Sequence, residues 1–499
     1  MSLPRAPIRA ACRLLAPLLL ALSFVAPAGA GTARLLILHT NDLHDHVRAG
    51  DHGVGGLPYV SGYIKQVRAE RSDVLVLDAG DLAEKGDLVA FRTHSGMTYE
   101  ALRRIGYDAV TIGNHEHDED GYDRLGRYEK ALGRPLLCLN LLKDDGTPAF
   151  EPSRIVAING VKVGLTGLII PRKERCLDFA ASGRALAREA ARLREAGVDV
   201  VIAVCHEGTD RCVEWSRAAP GVQVFVGGHT HETLPAPVVV PETGALIVQA
   251  GSYARWVGRL ELEVDLAARR IVRHEGRLVP MRHDGIPVDA EMLAWVRERE
   301  QALAPEAAEF LFENPAELDG FAVARLAAEA LRLAAGAEAG FCHPYQVIRD
   351  ILPAGPIDVN ALFKTGGQRG YENVLVELTG TQIEAYMNAL QHIQHEPPEW
   401  AGFRATWEAA ADGGGRYRSN LDPQRRYRVV MPRIEWETRY LRLADKAREQ
   451  DPGQPRVAHA VAPAAVTFTD ALRDYIRKVL AAGGQVQERA AELARLREN

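Results

Sequence analysis

Five short stretches of this sequence place oxygen and imidazole donors directly after runs of Val, Leu and Ile. The first is Asn41-Asp42-Leu43-His44, a carboxylate and an imidazole two residues apart. The others are Gly80-Asp81, Gly113-Asn114-His115-Glu116, His206-Glu207-Gly208 and Gly228-His229-Thr230-His231. Asp42, His44, Asp81, Asn114, His206, His229 and His231 mix hard oxygens with imidazole nitrogens, a set that suits Mn, Zn, Fe, Co or a similar divalent ion. Seven donors exceed the four that a tetrahedral zinc takes. They suit two ions sharing a bridging carboxylate. Alone, each fragment would read as a turn, a helix cap or a packed histidine. Their arrival at five successive strand ends argues for one site.

The elements that must deliver them are short buried strands, expected at 34–40, 73–77, 109–112, 135–141, 161–169, 198–204 and 222–226. Helical periodicity runs between several of them, as at 99–105 and 185–196. Strands alternating with helices predict an α/β domain whose sheets are covered by helices. In such sheets ligands bind beyond the carboxyl ends of the strands, which is where the donors stand. Glycines just before Asp81, Asn114 and His229 let the backbone turn sharply there. The domain is expected to span 34–280, followed by a linker helix within 285–310 and a second α/β unit over 314–485. A Pro/Gly-rich stretch at 352–357 punctuates that second unit.

The whole chain has 499 residues, enough for two or three domains. At 47% hydrophobic and 25% charged, its composition excludes a disordered tail, a collagen-like fibre and a polytopic membrane protein. Residues 1–30 carry Arg5, Arg9 and Arg13, then an apolar run, then Ala28-Gly29-Ala30. That is the pattern of a secretory signal peptide, with an apolar run too short for a comfortable membrane span. The expectation is an exported protein, periplasmic or secreted, without a stable membrane anchor. Removing the three arginines takes the net charge from −6 to −9. With no long basic run, a large nucleic acid is a poor partner.

Five of the six cysteines remain once Cys12 leaves with the signal. Cys138 and Cys205 read as buried small hydrophobes. Cys176 and Cys212 lie in polar stretches, where a disulfide and two free thiols are both open.

The series Asp42-x-His44, Gly80-Asp81, Gly113-Asn114-His115-Glu116, His206 and Gly228-His229-Thr230-His231 resembles the binuclear metallophosphoesterases. More narrowly, the chain resembles their secreted 5′-nucleotidase branch, which adds a C-terminal domain. That resemblance implies an αββα sandwich, a linker helix and a smaller α/β domain. It implies one ion held by Asp42, His44 and His231, another by Asn114, His206 and His229, and Asp81 bridging them. It makes His115 the catalytic histidine and Asp118 the carboxylate that orients it. His39, Asp45, His46, Glu116 and His117 match no ligand position and read as packing, turn or outer residues.

The second unit follows the family at 352–357, at 371–380 and in a closing helix near 467–475. It departs at Cys342-His-Pro-Tyr-Gln-Val-Ile-Arg349, where the family's Asn-x-Gly-Gly-Ile-Arg leaves only its last two residues. Arg349 is therefore the candidate anion-binding arginine. Tyr371 and Trp436 are further candidate substrate contacts, Trp436 in place of a missing glycine-rich aromatic segment. The function implied is release of phosphate from nucleotides by metal-activated water. Other esters at the same centre remain open: a cyclic nucleotide, a nucleotide-sugar pyrophosphate or a thiosulfonate. A non-catalytic binding protein is the outlying alternative.

Overall fold

A computed structural model describes residues 31–50, 53–84, 86–120, 122–171, 175–366, 372–394, 399–409, 415–443 and 462–498. The signal-like segment 1–30 and Tyr371 lie outside the described residues. No helix among the described residues is long and apolar enough to cross a membrane.

The first unit is built on two sheets. Its strands are β1 (Thr32–Thr40), β2 (Val74–Asp78), β3 (Ala109–Val110), β4 (Ser153–Ile158), β5 (Val161–Ile169), β6 (Val200–His206), β7 (Val224–Val226), β8 (Val238–Val239), β9 (Leu246–Val248), β10 (Trp256–Asp265) and β11 (Arg270–Pro280). One sheet has the order β11-β10-β1-β2-β3 and the other β4-β5-β6-β7-β9-β8. Successive side chains on a strand point to opposite faces, and that alternation makes the layers. Leu35 and Ile37 of β1 meet Val200, Ile202 and Val204 of β6 in the core between the sheets. Leu36 and Leu38 turn the other way, into a core with the helices Leu57–Glu70 and Gly96–Ile105. Val201, Ala203 and Cys205 pack outward against the helices Phe179–Glu195 and Thr209–Ala218. The result is the αββα sandwich.

Strands β1, β2 and β3 run parallel, as do β5, β6 and β7. Parallel pairing brings the carboxyl ends of neighbouring strands to one edge of each sheet. The expected strand at 135–141 is absent. Leu137 makes isolated bridges to both Thr111 and Glu151, so the segment crosses between partners instead of extending one ladder. The β10–β11 hairpin was not expected, because charged residues crowd its exposed positions and hide the alternating Val257, Leu260, Leu262 and Val264.

The second unit centres on a five-stranded sheet that includes Ala339–Cys342, Asn373–Thr379 and Arg426–Pro432. One face packs against the helices Gly320–Ala334 and Phe468–Ala481. The other carries Trp436, Tyr440 and Tyr386. The expected linker is the helix Ala290–Leu303. It is not a free tether: Met292, Trp295 and Val296 are buried in the first unit's core, which also takes in Val359 and Phe363 of the second. Asn360 donates to Asp87 at 2.8 Å and accepts from the Leu88 N–H at 2.8 Å, tying the units together.

Candidate metal centre

The backbone turns sharply as it leaves each strand. Asp42, His44, Asp81, His229 and His231 all adopt positive φ, between 43° and 72°, the left-handed region that non-glycine residues seldom occupy. Such conformations persist where surrounding bonds over-determine them, and they gather at functional sites. Here the bonds are visible. Asn41 donates through Nδ2 to Asp42 Oδ2 and to the Gly251 carbonyl, both at 2.6 Å, and its Oδ1 accepts from the Ala250 N–H. Glu116, fully buried, accepts the backbone N–H groups of Asp81, Ala83 and Gly113 at 3.1, 2.8 and 2.7 Å. The His115 N–H in turn donates to Asp81 Oδ1 at 3.0 Å. Gly113 is obligatory, since a Cβ there would lie 2.0 Å from Asp81 Oδ1.

These turns aim the donors at two points. Around the first, His44 Nε2 and His231 Nε2 are 3.0 Å apart, and Asp42 Oδ1 lies 3.3 Å from His231 Nε2 and 3.7 Å from His44 Nε2. Around the second, Asp81 Oδ2 lies 3.0 Å from His206 Nε2, while His229 Nδ1 is 2.8 Å from Asn114 Oδ1. Asp81 Oδ2 is also 4.0 Å from His44 Nε2, so this carboxylate touches both groups. The donor atoms of Asp42, His44 and His231 fit around one metal ion, and those of Asp81, His206 and His229 around another.

The protonation chemistry suits cations at both points. His206 Nδ1 donates to the Ala79 carbonyl at 2.8 Å, which turns Nε2 toward Asp81. Burial pulls the His206 pKa down, yet Asp81, Asp42 and the Ala79 carbonyl raise it to about 10. Burial likewise opposes protonation of His44, and Glu84, Asp81 and Asp42 raise it to about 9. Asp81 is held well below the usual carboxylate range against its own burial, by His206, His115 and His44. Sequestered carboxylates of this kind demand positive charge, and a divalent ion supplies it in place of the imidazole protons. The residues fit such an ion.

All seven expected donors thus meet at one edge of the sandwich. His115 stands beside them, with Nε2 3.9 Å from Asp81 Oδ2. Its pKa is lowered, chiefly by burial and with help from His44 and Arg349. Asp118 falls in the helix Asn114–Asp120, but its side chain lies outside the described residues. Arg349 reaches the cluster edge from the second unit, 2.5 Å from Glu84 Oε1. Trp436 does not: it is buried in the second unit's core and stacked on Tyr440 at 4.5 Å. The apolar packing available there outweighs an exposed ring.

Two residues of the site were not anticipated. Glu84 Oε2 lies 3.0 Å from His44 Nδ1, as an ion pair, and 3.6 Å from His115 Nε2. Tyr253 sets its ring 5.6 Å from that of His44 and 5.5 Å from that of His231. Glu84 lies six residues beyond β2 and Tyr253 five beyond β9, but neither belongs to a run of donor residues, so neither carried a signal beyond its residue type. His46 packs against Tyr253 at 4.5 Å and lines a cavity between the units with Arg48, Asp87, Asp350 and Lys364. His39 is a packing residue, its ring filling the space above Gly258.

Residues 35–233 match the calcineurin-like phosphoesterase family, and residues 308–434 match the 5′-nucleotidase C-terminal domain. The chain belongs to the metallophosphoesterases of the 5′-nucleotidase family. Among relatives of this metallophosphoesterase, endonuclease YhcR of Bacillus subtilis is 25% identical over 432 residues, 75% of this chain and 34% of its own. A 5′-nucleotidase of Diplobatis ommata is 28% identical over 325 residues, 58% of this chain and 55% of its own. The chain therefore spans about a third to a half of the length of these relatives. The crystal structure of a 5′-nucleotidase precursor from Thermus thermophilus has the same fold, with a TM-score of 0.70 at 23% identity, covering 90% of this chain and 97% of that one.

Proposed function

We propose that this metallophosphoesterase is an exported two-metal hydrolase that releases phosphate from nucleotides or related phosphomonoesters. The observation that carries the reading is the pair of donor groups linked by Asp81, which belongs to one and lies 4.0 Å from His44 of the other, with His115 beside them. In this reading Asp42, His44 and His231 hold one ion, Asn114, His206 and His229 the other, and Asp81 both. Two ions so held would lower the pKa of an attacking water and neutralise charge on the phosphoryl oxygens. His115, half-buried at the rim, donates a hydrogen bond or a proton to the oxygen that leaves. Arg349 offers a cation from the second unit to the anionic ester, in exchange for its contact with Glu84. We assign catalysis to 34–280 and substrate selection to 314–485.

A second reading keeps the metal centre and changes the ester to a cyclic nucleotide, a nucleotide-sugar pyrophosphate or a thiosulfonate. The burial of Trp436 favours the thiosulfonate among these, because that ring offers no stacking face to the nucleobase that the other two carry. The test is phosphate release by the mature protein with added Mn, comparing AMP, bis(p-nitrophenyl) phosphate and duplex DNA, with an EDTA control. Chelator-sensitive AMP hydrolysis supports the nucleotidase reading. Hydrolysis of the diester alone supports the second. No chelator-sensitive hydrolysis of any phosphoester would defeat the first reading.

A further inference from the structure

One pair of nucleophilic side chains has no part in the metal centre. Strand β6 turns Val200, Ile202 and Val204 toward the opposite sheet, and so turns Cys205 outward, toward the helix Thr209–Ala218. Cys212 on that helix is fully buried against it, and the two Sγ atoms lie 3.1 Å apart. A pairing of Cys176 with Cys212, which the sequence left as open as two free thiols, gives way to this arrangement. The polar neighbours Asp210, Arg211 and Glu214 occupy the other face of the helix, while Cys212, Trp215 and Ser216 point inward. A disulfide has an S–S bond of about 2.05 Å, so closure asks for an approach of about 1 Å.

The position matters as much as the distance. Cys205 immediately precedes the donor His206, and Cys212 lies just beyond the turn Glu207-Gly208. Gly208 packs so closely on Thr230 that a Cβ would come within 2.5 Å of its side chain, and Thr230 stands between His229 and His231. A link between Cys205 and Cys212 would therefore fasten the base of a turn that touches both donor groups.

We propose that Cys205 and Cys212 form a disulfide that fastens the His206 turn to the outer helix. The bond needs an acceptor for two electrons, which a small-molecule disulfide such as oxidised glutathione supplies. One cysteine thiolate attacks that disulfide, forming a mixed disulfide and releasing one glutathione thiolate. The second cysteine thiolate then attacks the cysteine sulfur of the mixed disulfide, closing the Cys205–Cys212 bond and releasing the second glutathione. The two cysteine protons end on the two glutathione thiols. The neighbouring Cys205 and burial raise the Cys212 pKa, so exchange belongs to folding, before the helix closes over the pair. The bond thereafter is sealed from reductants.

The experiment refolds the full chain with reduced and oxidised glutathione, alkylates it in denaturant without reductant, and digests it with trypsin. Cleavage after Arg211 separates the two cysteines onto peptides 195–211 and 212–217. The expected product is those two peptides joined, two hydrogens lighter than their sum, and parted by reduction. Both peptides alkylated singly, or either one joined to a different cysteine, would overturn the proposal. The result does not depend on whether the chain hydrolyses any ester. A second readout tests the fastening: the bridged protein should lose bound Mn to a chelator several-fold more slowly than the reduced protein. Equal rates would refute that role.

Discussion

Removing Glu84 should loosen the metal centre without touching a single donor. Glu84 Oε2 faces His44 Nδ1 at 3.0 Å as an ion pair, with both side chains nearly inaccessible, and so holds His44 Nε2 toward Asp42 and His231. A charged contact of that length in such a place, valued as a hydrogen bond to a charged group, contributes about 1.5–3 kcal/mol. Independently, loss of the group that orients a metal-bound histidine costs about 10–100-fold in affinity, which is about 1.4–2.7 kcal/mol. The two estimates agree. Glu84→Ala should therefore raise the Kd for Mn by about 10–100-fold. Glu84→Gln keeps an acceptor oxygen and loses only the charge, so it should cost roughly tenfold or less. Arg349→Ala separates the causes, because Arg349 touches Oε1 of Glu84 and has no bond to His44. It should leave Mn affinity within about twofold, as for a partly exposed ion pair. Isothermal titration of the chelator-treated protein with Mn measures all three. Wild-type affinity in Glu84→Ala would refute the reasoning, and an equal loss in Arg349→Ala would move the effect to the contact between the units.

Other outcomes follow from the same geometry. His115→Ala should lower kcat by about 10²–10⁴-fold while Mn binding stays intact, since its Nε2 lies at the rim of the donor groups; turnover with a saturating substrate checks it. Glu116→Gln places an amide where three backbone N–H groups converge, stranding at least one donor. That should cost about 1–3 kcal/mol in chemical denaturation. Glu435 in the second unit is buried, which raises its carboxyl to about 7 against bonds from Tyr386 and the His343 N–H. Its folded value exceeds the unfolded one, so its contribution is full below about pH 4.5 and is lost as pH rises through 7. The loss amounts to about 3 kcal/mol. Glu435→Gln should abolish that part of the pH dependence, measured as denaturation midpoints between pH 4.5 and 8.

What could be read in the sequence is what chemistry writes into residue type. Asp42, His44, Asp81, Asn114, His206, His229 and His231 are donors wherever they stand, and apolar runs before them marked the strands that carry them. Glu84 carried no such mark. A glutamate three residues after Asp81 reads as a surface charge until the turn brings it under His44 and an arginine 265 positions later closes on it. Trp436 misled for the converse reason: an aromatic ring suits a substrate or a core equally, and only Tyr440 stacked against it decides. Cys212 was hidden by charged neighbours, although helical spacing places it on one face with Trp215 and Ser216.

The backbone at the site was the least legible part and is the most costly. Five donors in the left-handed region, at about 1–3 kcal/mol each, store roughly 5–15 kcal/mol of strain, comparable to the whole stability of a domain. Asp and His enter that region more readily than most residues, which lowers the cost without removing it. It is sustained by bonds from residues that ligate nothing: Asn41 clasping Gly251 and Ala250, Glu116 gathering three N–H groups, and Asp78 binding Thr40 and the Gly80 N–H. Divalent ions on Asp42, Asp81 and their histidines would offset part of the strain as well. Metal binding and the shape of these turns are therefore one equilibrium. The buried polar residues behind the donors set metal affinity as surely as the donors do.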